Sequence, residues 1–166
     1  MKTLVILSHP IFETSSLNKQ VVAELKKYPD KYTIHHLEEE YPDEEINVAA
    51  EQRLIENHDN LVLEFPIYWY NCPHLLKKWL DEVLEFNWAF GPEGHAIENK
   101  PVALIITTGA DKSHYQNKGT TMNEVLTPFK MTFEHTKSNY QGFFAIFGPI
   151  TTEDVVQDAV NFLKKL

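Results

Sequence analysis

Three short stretches of the sequence, each directly behind an apolar run, carry side chains able to hold a flat, charged ligand. "SHPIFETSSLN" (residues 8–18) supplies the hydroxyls of Ser8, Thr14, Ser15 and Ser16, the His9 imidazole and the Asn18 amide. A helix starting there would offer free backbone N–H groups and its positive dipole end, which suit a phosphate. The plainer alternative is that Ser15 or Ser16 only caps that helix. "FPIYWYNCP" (65–73) sets Tyr68, Trp69 and Tyr70 between two prolines, in a turn where small polar residues are usual. Such a turn suits a flat hydrophobic ring, although core packing would also account for aromatics. "TTGADKSHY" (107–115) offers Thr107 and Thr108 as hydrogen-bonding groups, Gly109 for close backbone approach and Tyr115 as a phenol. Alone it could be an ordinary turn from strand to helix. Phosphate-binding, aromatic and hydrogen-bonding loops on one rim together point to a phosphorylated planar cofactor.

For these loops to share a rim, the elements before them must be parallel strands. "KTLVILS" (2–8), "YTIHHL" (32–37), "NLVLEF" (60–65), "PVALIIT" (101–107) and "YQGFFAIFG" (140–148) read as five strands. The second is less apolar and belongs nearer an edge, and the fourth reads as central. Between them lie helical patterns: one from Ser16 with Leu17, Val21, Val22 and Leu25 inward, one over 48–56 behind an Asn47 cap, and one over 74–84. A further helix is predicted over about 121–135, interrupted by Pro128. The last is predicted to start at "TTED", where a threonine can cap. Alternating strands and helices predict an α/β fold, a three-layer sandwich with a five-stranded parallel sheet and helices on both faces. Ligands of such sheets bind outside the carboxyl ends of the strands, where strand order reverses.

The 166 residues suit one domain spanning 1–166, and 43% hydrophobic against 23% charged residues is a globular balance. A net charge of -9 argues against nucleic acid and anionic membranes as partners. The acidic stretch "HHLEEEYPDEEI" (35–46) reads as a solvated loop, with a partner patch as the alternative. With Cys72 as the lone cysteine there is no internal disulfide, and the thiol is expected to be a bystander. No leader or membrane span is apparent, so a cytoplasmic protein without membrane insertion is expected. The histidines match no HExxH or zinc spacing, so no metal is expected. The first loop matches neither a Walker A sequence nor GxGxxG.

"SHP…SSLN", "FPIYWYNCPHLLKKWLDEVL", "WAFGPEG" and "ITTGADKSHY" resemble the NAD(P)H:quinone oxidoreductase family of flavodoxin-like flavoproteins almost from end to end. The resemblance implies a flavin-dependent homodimer that moves a hydride from NAD(P)H to quinones, with FMN expected and FAD the alternative. It places His9, Ser16, Leu17 and Asn18 near the flavin phosphate, and Pro66, Ile67, Tyr68, Trp69 and Tyr70 along the isoalloxazine edge. Thr107, Thr108, Gly109 and Ala110 would hydrogen-bond the pyrimidine side of the ring, with Tyr115 beside it. Trp88 and Phe90 would line the substrate slot, reaching the neighbouring subunit's site. Some members carry a histidine a few residues beyond this tyrosine. Here "GTTMNE" offers Thr120 and Thr121 instead, which leaves Tyr115, His114 or water as the proton donor. A flavodoxin-type electron carrier would need a T-x-T-G-x-T loop, and "FETSSLN" has no glycine. Family relatives also dock on potassium efflux systems as regulatory subunits, which is a second alternative, and a flavin-free binding domain is a third.

Overall fold

A computed structural model of the chain describes residues 1–117, 119–148 and 152–166. The five apolar runs form strands β1 (Thr3–Leu7), β2 (Tyr32–His36), β3 (Asn60–Pro66), β4 (Pro101–Thr108) and β5 (Asn139–Phe147) of one parallel sheet, ordered β2-β1-β3-β4-β5. Every residue of β1 and β3 is buried, as strands covered on both faces must be. β2 lies at an edge, as its mixed composition predicts. The middle strand is β3 rather than β4, because the chain leaves β1 to one side for β2 and then crosses to the other.

The helices are α1 (Ser16–Leu25), α2 (Leu37–Glu40), α3 (Val48–Glu56), α4 (His74–Val83), α5 (His114–Asn117), α6 (Met122–Val125), α7 (Thr127–His135) and α8 (Glu153–Leu163). Ser15 caps α1 by accepting from the Asn18 N–H, and Asn47 caps α3 through the Ala50 N–H. The helix expected over 121–135 breaks at Leu126, and Pro128 sits in the first turn of α7, where a missing N–H is harmless. Thr152 precedes α8 without a side-chain cap bond, and Thr151 lies outside the described residues.

The strand pleat sorts the core into two layers. Val5, Val62, Ala103 and Ile105 pack with Val21 and Leu25 of α1 and Val160 and Leu163 of α8. Leu4, Leu63, Phe65 and Leu104 meet Ile55 of α3, Leu76 and Trp79 of α4 and Phe133 of α7 on the opposite face. The acidic stretch departs from the solvated loop predicted for it. Glu39, Glu40, Asp43 and Glu45 are exposed, but His35 and His36 belong to β2 and Glu38 is drawn inward by hydrogen bonds described below. Among the described residues no helix is long and apolar enough to cross a membrane.

Candidate functional site

Strand order reverses between β1 and β3, and the loops leaving β1, β3 and β4 meet at their carboxyl ends. His9, Ser15, Ser16, Leu17, Asn18, Pro66, Ile67, Tyr68, Thr107, Thr108, Gly109 and Gly148 line a pocket there of about 270 Å³. Its floor is tied across the sheet. Asn18 Oδ1 accepts from Ser15 Oγ at 3.0 Å and from Thr107 Oγ1 at 2.9 Å, which locks the first turn of α1 onto the end of β4. Ser16 and Leu17, at the start of α1, line this pocket, and their N–H groups have no intrahelical partner. His9 Nδ1 accepts the Ile11 N–H at 3.2 Å, so Nε2 carries the proton of the neutral ring. Burial holds the His9 pKa below its ordinary value, against a smaller pull from Glu38. An anion at this helix start would therefore meet backbone donors, hydroxyls and a neutral imidazole.

The second wall is a tight hairpin. Tyr68 and Asn71 exchange backbone hydrogen bonds of 2.8 and 3.0 Å, and both residues between them are left-handed, Trp69 at φ 48° and Tyr70 at φ 64°. This is the turn that Asn-Gly ordinarily fills. A tryptophan and a tyrosine there each hold strain of about 1–2 kcal/mol. The result is a Trp69 ring that is 95% exposed, and two backbone N–H groups, of Trp69 and Tyr70, that meet no acceptor among the described residues.

The third wall continues into a neighbouring cavity of about 410 Å³ lined by Tyr70, His114, Tyr115, Thr120, Glu124 and Val125. Tyr115 is buried, with its phenol 3.1 Å from Thr108 Oγ1, and His114 Nε2 lies 3.3 Å from the Tyr70 hydroxyl with the two rings stacked. Thr108 Oγ1 also accepts the Ala110 N–H. Ala110 therefore shapes the loop without lining the pocket. A Cβ added to Gly109 would meet no protein atom within 4 Å, so protein packing leaves the space above that backbone clear.

The whole chain, residues 1–166, matches the family described as having the flavodoxin-like fold. The chain belongs to the flavodoxin-like family. This flavodoxin-like chain is 40% identical over 172 residues to the uncharacterized NAD(P)H oxidoreductase YrkL of Bacillus subtilis, covering 99% of this chain and 98% of that protein. It superimposes on the crystal structure of general stress protein 14 from Treponema denticola in complex with FMN, with TM-score 0.90, 41% identity, and 99% and 97% of the two chains covered. Against the structure of an NADPH-quinone reductase from P. pentosaceus the TM-score is 0.87 at 29% identity, covering 99% and 97%.

Most of the sequence-predicted residues converge: His9, Ser16, Leu17, Asn18, Pro66, Ile67, Tyr68, Thr107, Thr108 and Gly109 line the first pocket, and Tyr70, His114 and Tyr115 the second. Trp69 lines neither pocket and is exposed between Tyr68 and Tyr70. Trp88 and Phe90 are not brought there. They follow α4, whose far end returns to the amino ends of the strands, where Trp88 Nε1 donates to Glu56 at 2.8 Å and the Phe90 ring lies 5.2 Å from that of His135. Cys72 is buried, and burial pushes its thiol up to about 11.

Sequence reasoning missed two carboxyls that border the site. Glu38 accepts from Ser8 Oγ at 2.7 Å and the His9 N–H at 3.0 Å, and His36 faces it at 3.3 Å and Glu39 at 3.0 Å. Burial acts to raise the Glu38 pKa, but the donors from His36, Ser8 and His9 outweigh it and hold it low. Its place in an acidic run hid it. Glu64, on β3, is fully buried, and neither carboxyl oxygen has a hydrogen-bond partner among the described residues. Its signal was visible as the single charge inside "NLVLEFP".

Proposed function

We propose that this flavodoxin-like chain, acting as one domain over residues 1–166, is a flavin-dependent NAD(P)H oxidoreductase of the quinone-reducing kind, working in the cytoplasm. The observation carrying this reading is the joining of an anion-suited helix start, a strained aromatic hairpin with free N–H donors and the open space above Gly109 on one rim. Those groups match the phosphate, the ring face and the polar ring edge of FMN, whereas a second phosphate and an adenosine, as in FAD, have no further basic side chain to meet them among the described residues that line this pocket. FMN, when bound, supplies the two-electron chemistry between NAD(P)H and a quinone-like acceptor.

Ser15, Ser16, Leu17, Asn18 and His9 would hold the phosphate through hydroxyl, amide, imidazole and backbone donors. The N–H groups of Trp69, Tyr70 and Gly109 would meet the polar edge of the ring and favour negative charge there. Tyr68 and Trp69 would shield the ring from water, and the second cavity would admit a flat visitor against Tyr70. Tyr115, tied to Thr108, and His114 would be the groups that give a proton to a reduced acceptor. Trp88 and Phe90 can reach a substrate slot only in a second copy, and the exposed Phe86 and Met131 beside Phe90 fit a homodimer in which they would be covered.

The test is a visible spectrum of the purified protein with added FMN or FAD, followed by anaerobic NADH and NADPH. The expected result is stoichiometric FMN uptake and rapid bleaching by one nicotinamide, with reoxidation by a quinone. Bound flavin that neither donor reduces would replace the reading with that of an electron carrier.

A further inference from the structure

Glu64 has no place in the chemistry above, yet its surroundings bear on the phosphate pocket. It sits on β3 two residues before Pro66, opposite Leu7 of β1 and Ile105 of β4, and its backbone carbonyl accepts the Ser8 N–H at 3.0 Å. Its side chain shares a sheet face with Val62 and so points under α1. Directly above it, Asn18 spends its carbonyl oxygen on Ser15 and Thr107, while its Nδ2 has no hydrogen-bond partner among the described residues. A fully buried carboxyl and the Asn18 amide thus approach each other beneath the helix start without completing a hydrogen bond. An ionised Glu64 would place negative charge in a dry layer under the anion site, where repulsion is barely screened.

Other ionisable groups reach this layer. His36 comes from β2 with the Glu38 and Glu39 carboxylates of α2 behind it, and His9 comes from the loop after β1. The α1 residues buried against the sheet (Leu17, Asn18, Val21, Val22 and Leu25) and Ile105 and Thr107 of β4 do not titrate.

We propose that Glu64 is a positioning residue that couples cofactor binding to protonation: only as the neutral acid does it let Asn18 and the start of α1 accept a phosphate dianion. Burial pushes the Glu64 carboxyl up to about 8, against smaller downward pulls from the Asn18 amide and the His36 imidazole. The neutral acid therefore prevails at neutral pH. A bound phosphate raises this carboxyl further, so at alkaline pH the protein takes up a proton as the phosphate-bearing flavin binds.

The inference rests on the flavin reading, and one experiment separates the two. FMN and riboflavin affinities are measured by flavin fluorescence quenching between pH 7 and pH 9 for the wild type, Glu64→Gln and Glu64→Leu. Riboflavin shares the ring and lacks the phosphate, so the ratio of the two affinities isolates the phosphate. For the wild type that ratio is expected to fall about tenfold over the interval, and for both variants to stay flat. Calorimetry in two buffers of different ionisation enthalpy should show proton uptake by the wild type near pH 9 and none by Glu64→Gln. A wild-type ratio that does not change with pH overturns the proposal. So does a fall of equal size in both variants, which would assign the effect to His36 or His9. If FMN binds at no pH, the flavin reading itself falls and this inference with it.

Discussion

Two glutamates lie buried on opposite faces of the same sheet, and they are treated in opposite ways. Glu51 of α3, 1% exposed, accepts from the Tyr41 hydroxyl at 2.5 Å, Trp79 Nε1 at 2.7 Å and His35 Nε2 at 2.8 Å. Burial alone would raise its pKa, but these three donors outweigh it and hold the carboxyl below its ordinary value. Glu64, fully buried under α1, completes no hydrogen bond among the described residues, and burial outweighs the weak pull of the Asn18 amide and drives it the other way. A buried carboxylate with its hydrogen bonds complete joins β2, α3 and α4 into one unit. A carboxyl left without them costs stability and persists where something other than stability is served. The satisfied glutamate belongs to the scaffold and the unsatisfied one to the side that faces the ligand.

The strongest way to break this contrast is to remove the satisfied member. Glu51→Ala would leave a phenol, an indole N–H and an imidazole facing a void. The expected loss is about 3–5 kcal/mol, read from urea unfolding at neutral pH with an unchanged m-value. Glu51→Gln keeps the shape but turns an amide N–H toward other donors, for an expected loss of about 1–3 kcal/mol. A loss under about 1 kcal/mol for the alanine variant would mean that the network adds nothing to the scaffold. The pH dependence has a definite sign. Because the folded-state pKa of Glu51 is depressed, its contribution is complete above the unfolded value of 4.5 and disappears as pH falls through the folded one.

Glu64→Gln should act in the opposite direction. Below the unfolded value of 4.5 both states hold the proton and the side chain is neutral to stability. Above it the unfolded chain ionises while the folded protein keeps its proton until about 8, so the wild type loses stability across that window. The loss has an upper bound of about 4–5 kcal/mol at 1.36 kcal/mol per unit. The new amide's own unpaired groups cost about 1–3 kcal/mol, leaving an expected net gain near 2 kcal/mol at pH 8. Denaturant midpoints at pH 4.5 and pH 8 check it: the gain must appear only at the higher pH.

The layers and the loops could be read from sequence because both follow from local rules. Periodicity fixed the faces of α1, α3 and α4, an amide cap marked the start of α3, and a proline located the break before α7. Loops after apolar runs then had to meet at the carboxyl ends, which gathered residues as distant as Asn18 and Thr107. What stayed hidden depended on pairing across the sheet. That β3 rather than β4 is central, that Glu38 turns inward to Ser8 and His9 while Glu40 stays in water, and that Glu64 lacks the donors Glu51 enjoys are facts of register. Composition assigns the same charge to all of these glutamates. Trp88 and Phe90 mark the other limit, since a single chain carries no information about what a second copy would bring to its rim.

The smallest expected effect asks whether the unsatisfied side of the molecule is costly in its backbone as well as in its side chains. In the Tyr68–Asn71 hairpin, both central residues sit in a region that glycine and asparagine occupy with little strain. Tyr70→Gly removes one side-chain penalty there, and the chain entropy gained by the unfolded state offsets part of the relief. The net stabilisation should be about 0.5–1 kcal/mol, seen as a small rise in urea midpoint. If the tyrosine is retained for the ligand, the same variant should bind FMN more weakly, because the wall shared with His114 is gone. Higher stability with weaker binding would extend the contrast between the two glutamates to the backbone, placing a second local cost at the same rim. Lower stability would mean that Tyr70 stacking on His114 outweighs the strain, and the hairpin would then belong with Glu51 as part of the scaffold.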